Sequence, residues 1–137
     1  MDEKTAALSI MAKMALCDGN VDAAERSMLA DLVGGDAEVD AVLEIAKTTT
    51  LEELVAKVES YADRFFVALR AYFVAHADDD FDVKEQALFA RIVEHMKLTD
   101  GDLELIRSTE AAMRSAEAPA PDPRFEELYK QSSFAKL

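Results

Sequence analysis

The segment CDGNVDAAE, residues 17–25, returns sixty positions later as ADDDFDVKE, residues 77–85. Both carry Asp, three residues, Asp, two residues, Glu, so Asp18, Asp22 and Glu25 correspond to Asp78, Asp82 and Glu85. The likeness extends beyond the carboxylates. Residues 14–33 align without gaps with residues 74–93, with identities at Ala15/Ala75, Ala30/Ala90 and Val33/Val93 and conservative pairs at Met28/Leu88 and Leu32/Ile92. Whatever the chain folds into must accommodate one unit, helix, acidic loop, helix, twice. Duplication of a helix pair is the economical reading.

Helical periodicity fills the rest of the chain. Leu8, Met11, Met14 and Ala15 mark the inner face of a helix over about residues 3–17. Met28, Leu29, Leu32 and Val33 mark a second over 23–33, stopped by Gly34 and Gly35. Asp36 is expected to cap a third to about residue 47. Thr50 with Glu53 forms a capping-box pattern for a fourth. The run RFFVALRAYFVA is apolar on most sides, which predicts a central fifth helix over 60–77, with Arg64 and Arg70 reaching the surface or pairing with carboxylates. A sixth helix is predicted over 83–96, and Thr99 is expected to cap a seventh. The fold class is therefore all-α, a single-domain bundle of about seven helices built from two related helix-loop-helix halves. Residues 1–116 form the domain, 117–124 a Pro/Ala linker, and 125–137 an apolar segment. In that last segment Phe125, Leu128 and Tyr129 share one face and Phe134 and Leu137 add apolar surface, so it is expected to dock in a groove, its own or a neighbour's.

Composition narrows the function. The 137 residues carry 28 acidic and 15 basic side chains, a net charge of −13. Nucleic acid is held by Lys and Arg neutralising phosphates, and no basic run exists here; nucleic acid and anionic membranes are excluded as partners. No apolar stretch approaches the ~20 residues that cross a bilayer, and the start MDEKTAALSI lacks the layout of a signal peptide. One cysteine allows no internal disulfide. The expectation is a cytoplasmic protein whose partners are cations or a basic protein surface.

The repeated carboxylates have two readings. As helix punctuation, Asp22 and Asp82 precede a helix and Glu25 and Glu85 stand three residues on, the arrangement of a capping box at the positive end of a helix dipole. Asp18 and Asp78 escape that account. Each ends the preceding helix, where the dipole disfavours negative charge. As a cation site, the three oxygens of each set would converge on one hard ion, Ca²⁺ or Mg²⁺. The loops are not EF-hands. The glycine required at loop position six is Ala23 or Val83, and the glutamate required at position twelve falls on Leu29 or Phe89.

The segments MALCDGNVDAAE and YFVAHADDDFDVKE resemble the paired Asp-Gly and Glu motifs of the TerB-like family, named for bacterial tellurite resistance. The resemblance covers about residues 6–113. The glycine of the motif is Gly19 in the first copy and is replaced by Asp79 in the second. The resemblance implies an all-helical fold of two related halves, a cation-associated acidic site and a role in stress response or as an accessory domain. Carried over by motif, the metal positions are Asp18, Asp22 and Glu25, then Asp78, Asp82 and Glu85.

No other chemistry competes. Cys17 beside the acidic loop is disfavoured as a thiolate and is expected to be a small buried residue. His76 and His95 are isolated, with Phe73 and Ile92 three residues before them instead of the glutamates of a di-iron bundle. Phosphate-binding glycine loops and Ser/His/Asp sets are missing. The chain is expected to be a non-catalytic regulatory or scaffolding domain that binds a divalent cation. The alternative is an acidic protein-interaction module whose carboxylates only cap helices. A protein partner is expected through a basic surface or through residues 125–137.

Overall fold

A computed structural model describes residues 1–17, 21, 23–76, 82–115 and 122–132. These form α1 (Glu3–Ala15), α2 (Ala23–Val33), α3 (Asp36–Thr48), α4 (Leu51–Val55), α5 (Tyr61–Ala75), α6 (Val83–Met96), α7 (Asp100–Arg114) and α8 (Pro123–Gln131), with no strand among the described residues. The seven helices expected of the domain are present, and the eighth is the apolar C-terminal segment. α8 starts inside the segment read as linker, because Asp122 caps it by accepting from the Arg124 N–H at 2.8 Å and Pro123 fits the first helical turn. Phe134 and Leu137 lie outside the described residues.

Local chemistry accounts for most helix ends. Thr50 accepts from the Glu53 N–H at 3.2 Å, and Thr99 from the Asp102 N–H at 3.2 Å. The cap of α3 is Gly35 rather than Asp36; Gly35 has φ 150° and makes no side-chain cap bond. Asp36 instead meets Arg26 at 3.4 Å, and Asp40 meets it at 3.1 Å, which ties α3 to α2.

The core forms around α1 and α5. The apolar run of α5 did predict its central place: Phe65, Val67, Ala68, Ala71, Val74 and Ala75 are all fully buried. α1 proves equally central, with Ala6, Ala7, Ile10, Met11, Ala12, Met14 and Ala15 at zero exposure. Its alanines allow neighbours to approach, and α1 packs on α2, α3, α4, α5 and α6. Ser9, also fully buried, is satisfied by donating to Thr5 O at 2.7 Å. Lys13 donates to Ala46 O at 2.7 Å, placing a cation on the last turn of α3 where the dipole favours it.

α8 lies across the start of α5. Phe125 meets Phe66 and Phe65 edge-on, with ring centroids 5.5 and 6.1 Å apart, and Tyr129 meets Phe66 at 6.0 Å. Leu128 between them is 1% exposed. Arg124 grips Asp102 of α7 with two bonds of 3.1 and 3.0 Å, and the Tyr61 hydroxyl donates to the same carboxylate at 2.6 Å. Arg124 holds the Asp102 carboxyl below its usual range. The segment therefore docks on its own domain. Arg64 is half-buried, and its Nε donates to the backbone carbonyl of Val58 at 2.8 Å.

Candidate functional site

The two acidic loops connect equivalent helix ends. In the first copy α1 closes at Ala15, capped by Leu16, whose N–H bonds to Ala12 O at 3.0 Å. Two residues later Cys17 is half-buried rather than fully buried as expected. α2 then starts at Ala23 and carries Glu25 in its first turn. In the second copy α5 closes at Ala75, His76 caps it, and α6 starts at Val83 with Glu85 in its first turn. Three of the six expected ligands, Asp18, Asp22 and Asp78, lie outside the described residues, as do Gly19 and Asp79. Glu25, Asp82 and Glu85 are described.

Asp82 and Glu85 form a complete capping box. Asp82 Oδ1 accepts from the Glu85 N–H at 2.8 Å, and Glu85 Oε1 accepts from the Asp82 N–H at 3.3 Å. The punctuation reading is correct for this pair. It does not exclude the other, since a carboxylate offers about four lone-pair sites and the cap uses one on each side chain.

The repeat is also legible in burial. Glu25 is 1% exposed and Glu85 2%, while the two residues before each, Ala23 and Ala24, Val83 and Lys84, are exposed. Leu29 and Phe89, one turn on, are buried in both copies. The duplicated sequence thus delivers a carboxylate into the interior twice, at the same place in each helix pair. Glutamate is almost never fully buried unless its charge is matched, because the cost of removing an ion from water is several kcal/mol. The helix N-terminus favours the negative charge, and both glutamates have interaction partners. An all-oxygen, anionic donor set of this kind suits a hard divalent cation, so the residues present fit the group that the sequence motif implies. Among the described residues no three His, Cys, Asp or Glu side chains converge at metal-binding distance.

The second loop is flanked by a polar cluster that the sequence did not announce. His76 Nδ1 lies 3.9 Å from Glu110 Oε1, and Arg114 reaches Glu110 Oε2 at 3.2 Å and His76 Nδ1 at 3.4 Å. The Glu110 side chain is only 5% exposed. The Tyr72 ring packs 4.5 Å from His76, and burial followed by the Glu110 charge raises its phenol. Glu110 with Arg114 was readable as an i, i+4 pair. Its partner His76 comes from a different helix, so no local pattern could add it. His95 likewise meets a glutamate from another helix, Glu52, at 3.3 Å. The His76 cluster borders a groove of about 580 Å³ between α2, α5, α7 and α8, walled by Leu32, Phe66, Phe73 and Tyr129 and lined also by the half-buried Arg70.

A family model described as tellurite resistance protein TerB matches residues 4–108, from the first turn of α1 into α7. No curated protein and no solved structure shows significant similarity to the chain. Among the described residues, no helix is long and apolar enough to cross a membrane.

Proposed function

The chain belongs to the TerB family, and on that premise we propose that it is a non-catalytic regulatory or scaffolding domain that binds a divalent cation, Ca²⁺ or Mg²⁺, at its two acidic loops. Asp18, Asp22 and Glu25 hold one ion and Asp78, Asp82 and Glu85 the other. A cytoplasmic setting in a bacterial stress response belongs to the same reading. The observation that carries it is the matched burial of Glu25 and Glu85 beside acidic loops repeated at a fixed offset. Capping alone asks for no burial, since cap side chains function at exposed helix ends. When bound, the cation would neutralise the loop carboxylates and brace each helix pair. The ligand count is low for a calcium site, which implies an affinity of order 10⁻⁴ M.

Isothermal titration calorimetry tests this. Asn and Gln cap helices nearly as well as Asp and Glu, so the set Asp18→Asn, Asp22→Asn, Glu25→Gln leaves the fold intact and removes one binding event. The set Asp78→Asn, Asp82→Asn, Glu85→Gln removes the other. Saturation at ten times Kd adds roughly 1.4 kcal/mol of stability, visible as a rise in Tm beyond that of a monovalent salt control. Absence of divalent binding at millimolar concentration refutes the reading. The completed Asp82–Glu85 capping box favours the second reading in that event: an acidic surface recognising a basic protein partner, with carboxylates as caps. Such binding would weaken with salt and ignore the metal.

A further inference from the structure

A cleft between α1, α3, α4 and α6 gathers cations that lie far apart in the sequence. Lys13 of α1, Lys47 of α3 and Arg91 of α6 line it, Glu52 of α4 is its carboxylate, and it encloses about 580 Å³. Three cations against one carboxylate leave a formal charge of +2, in a chain whose net charge is −13. Leu16, Leu51 and Leu88 give the same cleft an apolar wall. Lys13 is half-buried and held in place by its hydrogen bond of 2.7 Å to Ala46 O, which uses one of the three N–H groups of the ammonium. Among the described residues no carboxylate pairs with Lys13 or Lys47. Glu52 is shared instead between Arg91 at 3.6 Å and His95 at 3.3 Å.

The fold does not require this charge. The groove beside His76 is the same cleft in the other half of the duplication. At the sixty-residue offset Lys13, Leu16 and Thr50 become Phe73, His76 and Glu110, while Leu88 and Arg91 become Met28 and Asp31, and each of these residues lines its own cleft. Where one cleft has the cations Lys13 and Arg91, the other has an aromatic ring and an acid, so packing between the helices is satisfied without them. Burial, then the neighbouring Arg91 charge, lower the Lys13 ammonium below its usual range. The cluster is therefore held at a cost that an anion between the cations would relieve.

We propose that this cleft binds a small-molecule phosphate monoester, its phosphate held by Lys13, Lys47 and Arg91 and its apolar body resting on Leu16, Leu51 and Leu88. A phosphate monoester carries about −2 near neutral pH, which matches the formal charge of the cleft. The Arg91 guanidinium presents a planar fork suited to two phosphate oxygens. Its pairing with Glu52 joins two side chains that are 57% and 56% exposed, and a pair of that kind is weak enough to yield. The volume of the cleft lies within the ~300–1,000 Å³ of small-ligand sites, and the net charge of the chain repels an anionic bilayer.

Amide NMR of the full chain titrated with phenyl phosphate, in buffer free of divalent cations, tests this independently of the acidic loops. Saturable shifts are expected at residues 13–16, 46–52 and 88–91, with none of that size around Phe73 and Asp31. Arg91→Gln and Lys47→Gln change exposed side chains, so thermal melts should match that of the unmodified chain while each variant binds about tenfold more weakly. Inorganic phosphate should also bind about tenfold more weakly than the ester, because it lacks the body that meets the leucines. Absence of saturation at millimolar phenyl phosphate, or unchanged affinity in both variants, overturns the proposal. So does inorganic phosphate binding as tightly as the ester, which would mark an adventitious ion only. Tighter binding of a phosphoserine peptide, or of vesicles containing phosphatidic acid, overturns the small-molecule assignment.

Discussion

Replacing Leu128 with alanine asks how much of the domain's stability rests on a helix that lies beyond the matched family region. Leu128 is 1% exposed and sits between Phe125 and Tyr129 on the face of α8 that meets α5. Burying a leucine contributes about 1.5–3 kcal/mol, and truncating one in a core costs about 2–5 kcal/mol once the cavity is included. α8 is peripheral and can shift or leave, so its cost is expected at the low end, about 2 kcal/mol. For a chain of this length that is a fall in Tm of roughly 8 °C. Undocking sets a ceiling: once α8 has left, further damage to its inner face costs nothing. Phe125→Ala alone should cost about 2 kcal/mol, and the double substitution much less than the sum. Urea denaturation followed by far-UV circular dichroism measures all three. A Leu128→Ala chain within about 0.5 kcal/mol of the unmodified one would refute the burial argument. Full additivity in the double variant would refute the ceiling.

Other perturbations separate the remaining contributions. Asp82→Ala should lose about 1 kcal/mol in urea melts by orphaning the Glu85 N–H, whereas Asp82→Asn retains the cap and most of the stability. Gly34 closes α2 at φ 98°, a conformation in which an L side chain is strained, so Gly34→Ala should lower stability by about 1 kcal/mol or more in thermal melts despite open space around its Cβ. Arg124, then Tyr61 and Thr99, lower the Asp102 carboxyl below 3.8. A lowered acid contributes stability above its unfolded value that is lost as pH falls through the folded value. Arg124→Ala should therefore shrink the stability lost on acidification below about pH 4, modestly, because the arginine is 43% exposed. An acid limb identical to that of the unmodified chain would remove Arg124 from the account.

Much of this protein was determined by signals that act over a few residues. The apolar period placed α2 and α6 at their observed bounds, and the threonines at 50 and 99 cap the helices they precede, because a cap needs only its own turn. Asp36 was misread as a cap because Gly35, without a side chain, could take the extended positive-φ position before it and release Asp36 to Arg26. The sixty-residue offset gave away the pairing of Glu25 with Glu85, since duplication copies a pattern whole. Tertiary structure decided what the pattern could not. It buried α1 as deeply as α5, since an alanine-rich helix is apolar enough to be enclosed but shows little contrast between its faces. It turned the terminal segment back onto Phe65 and Phe66, a choice between its own groove and a neighbour's that depends on shape rather than on composition. It also joined His76 to Glu110, and Asp63 to Ser132, across separations of tens of residues. Contacts of that kind leave no period in the chain, because each partner's local sequence is satisfied without the other.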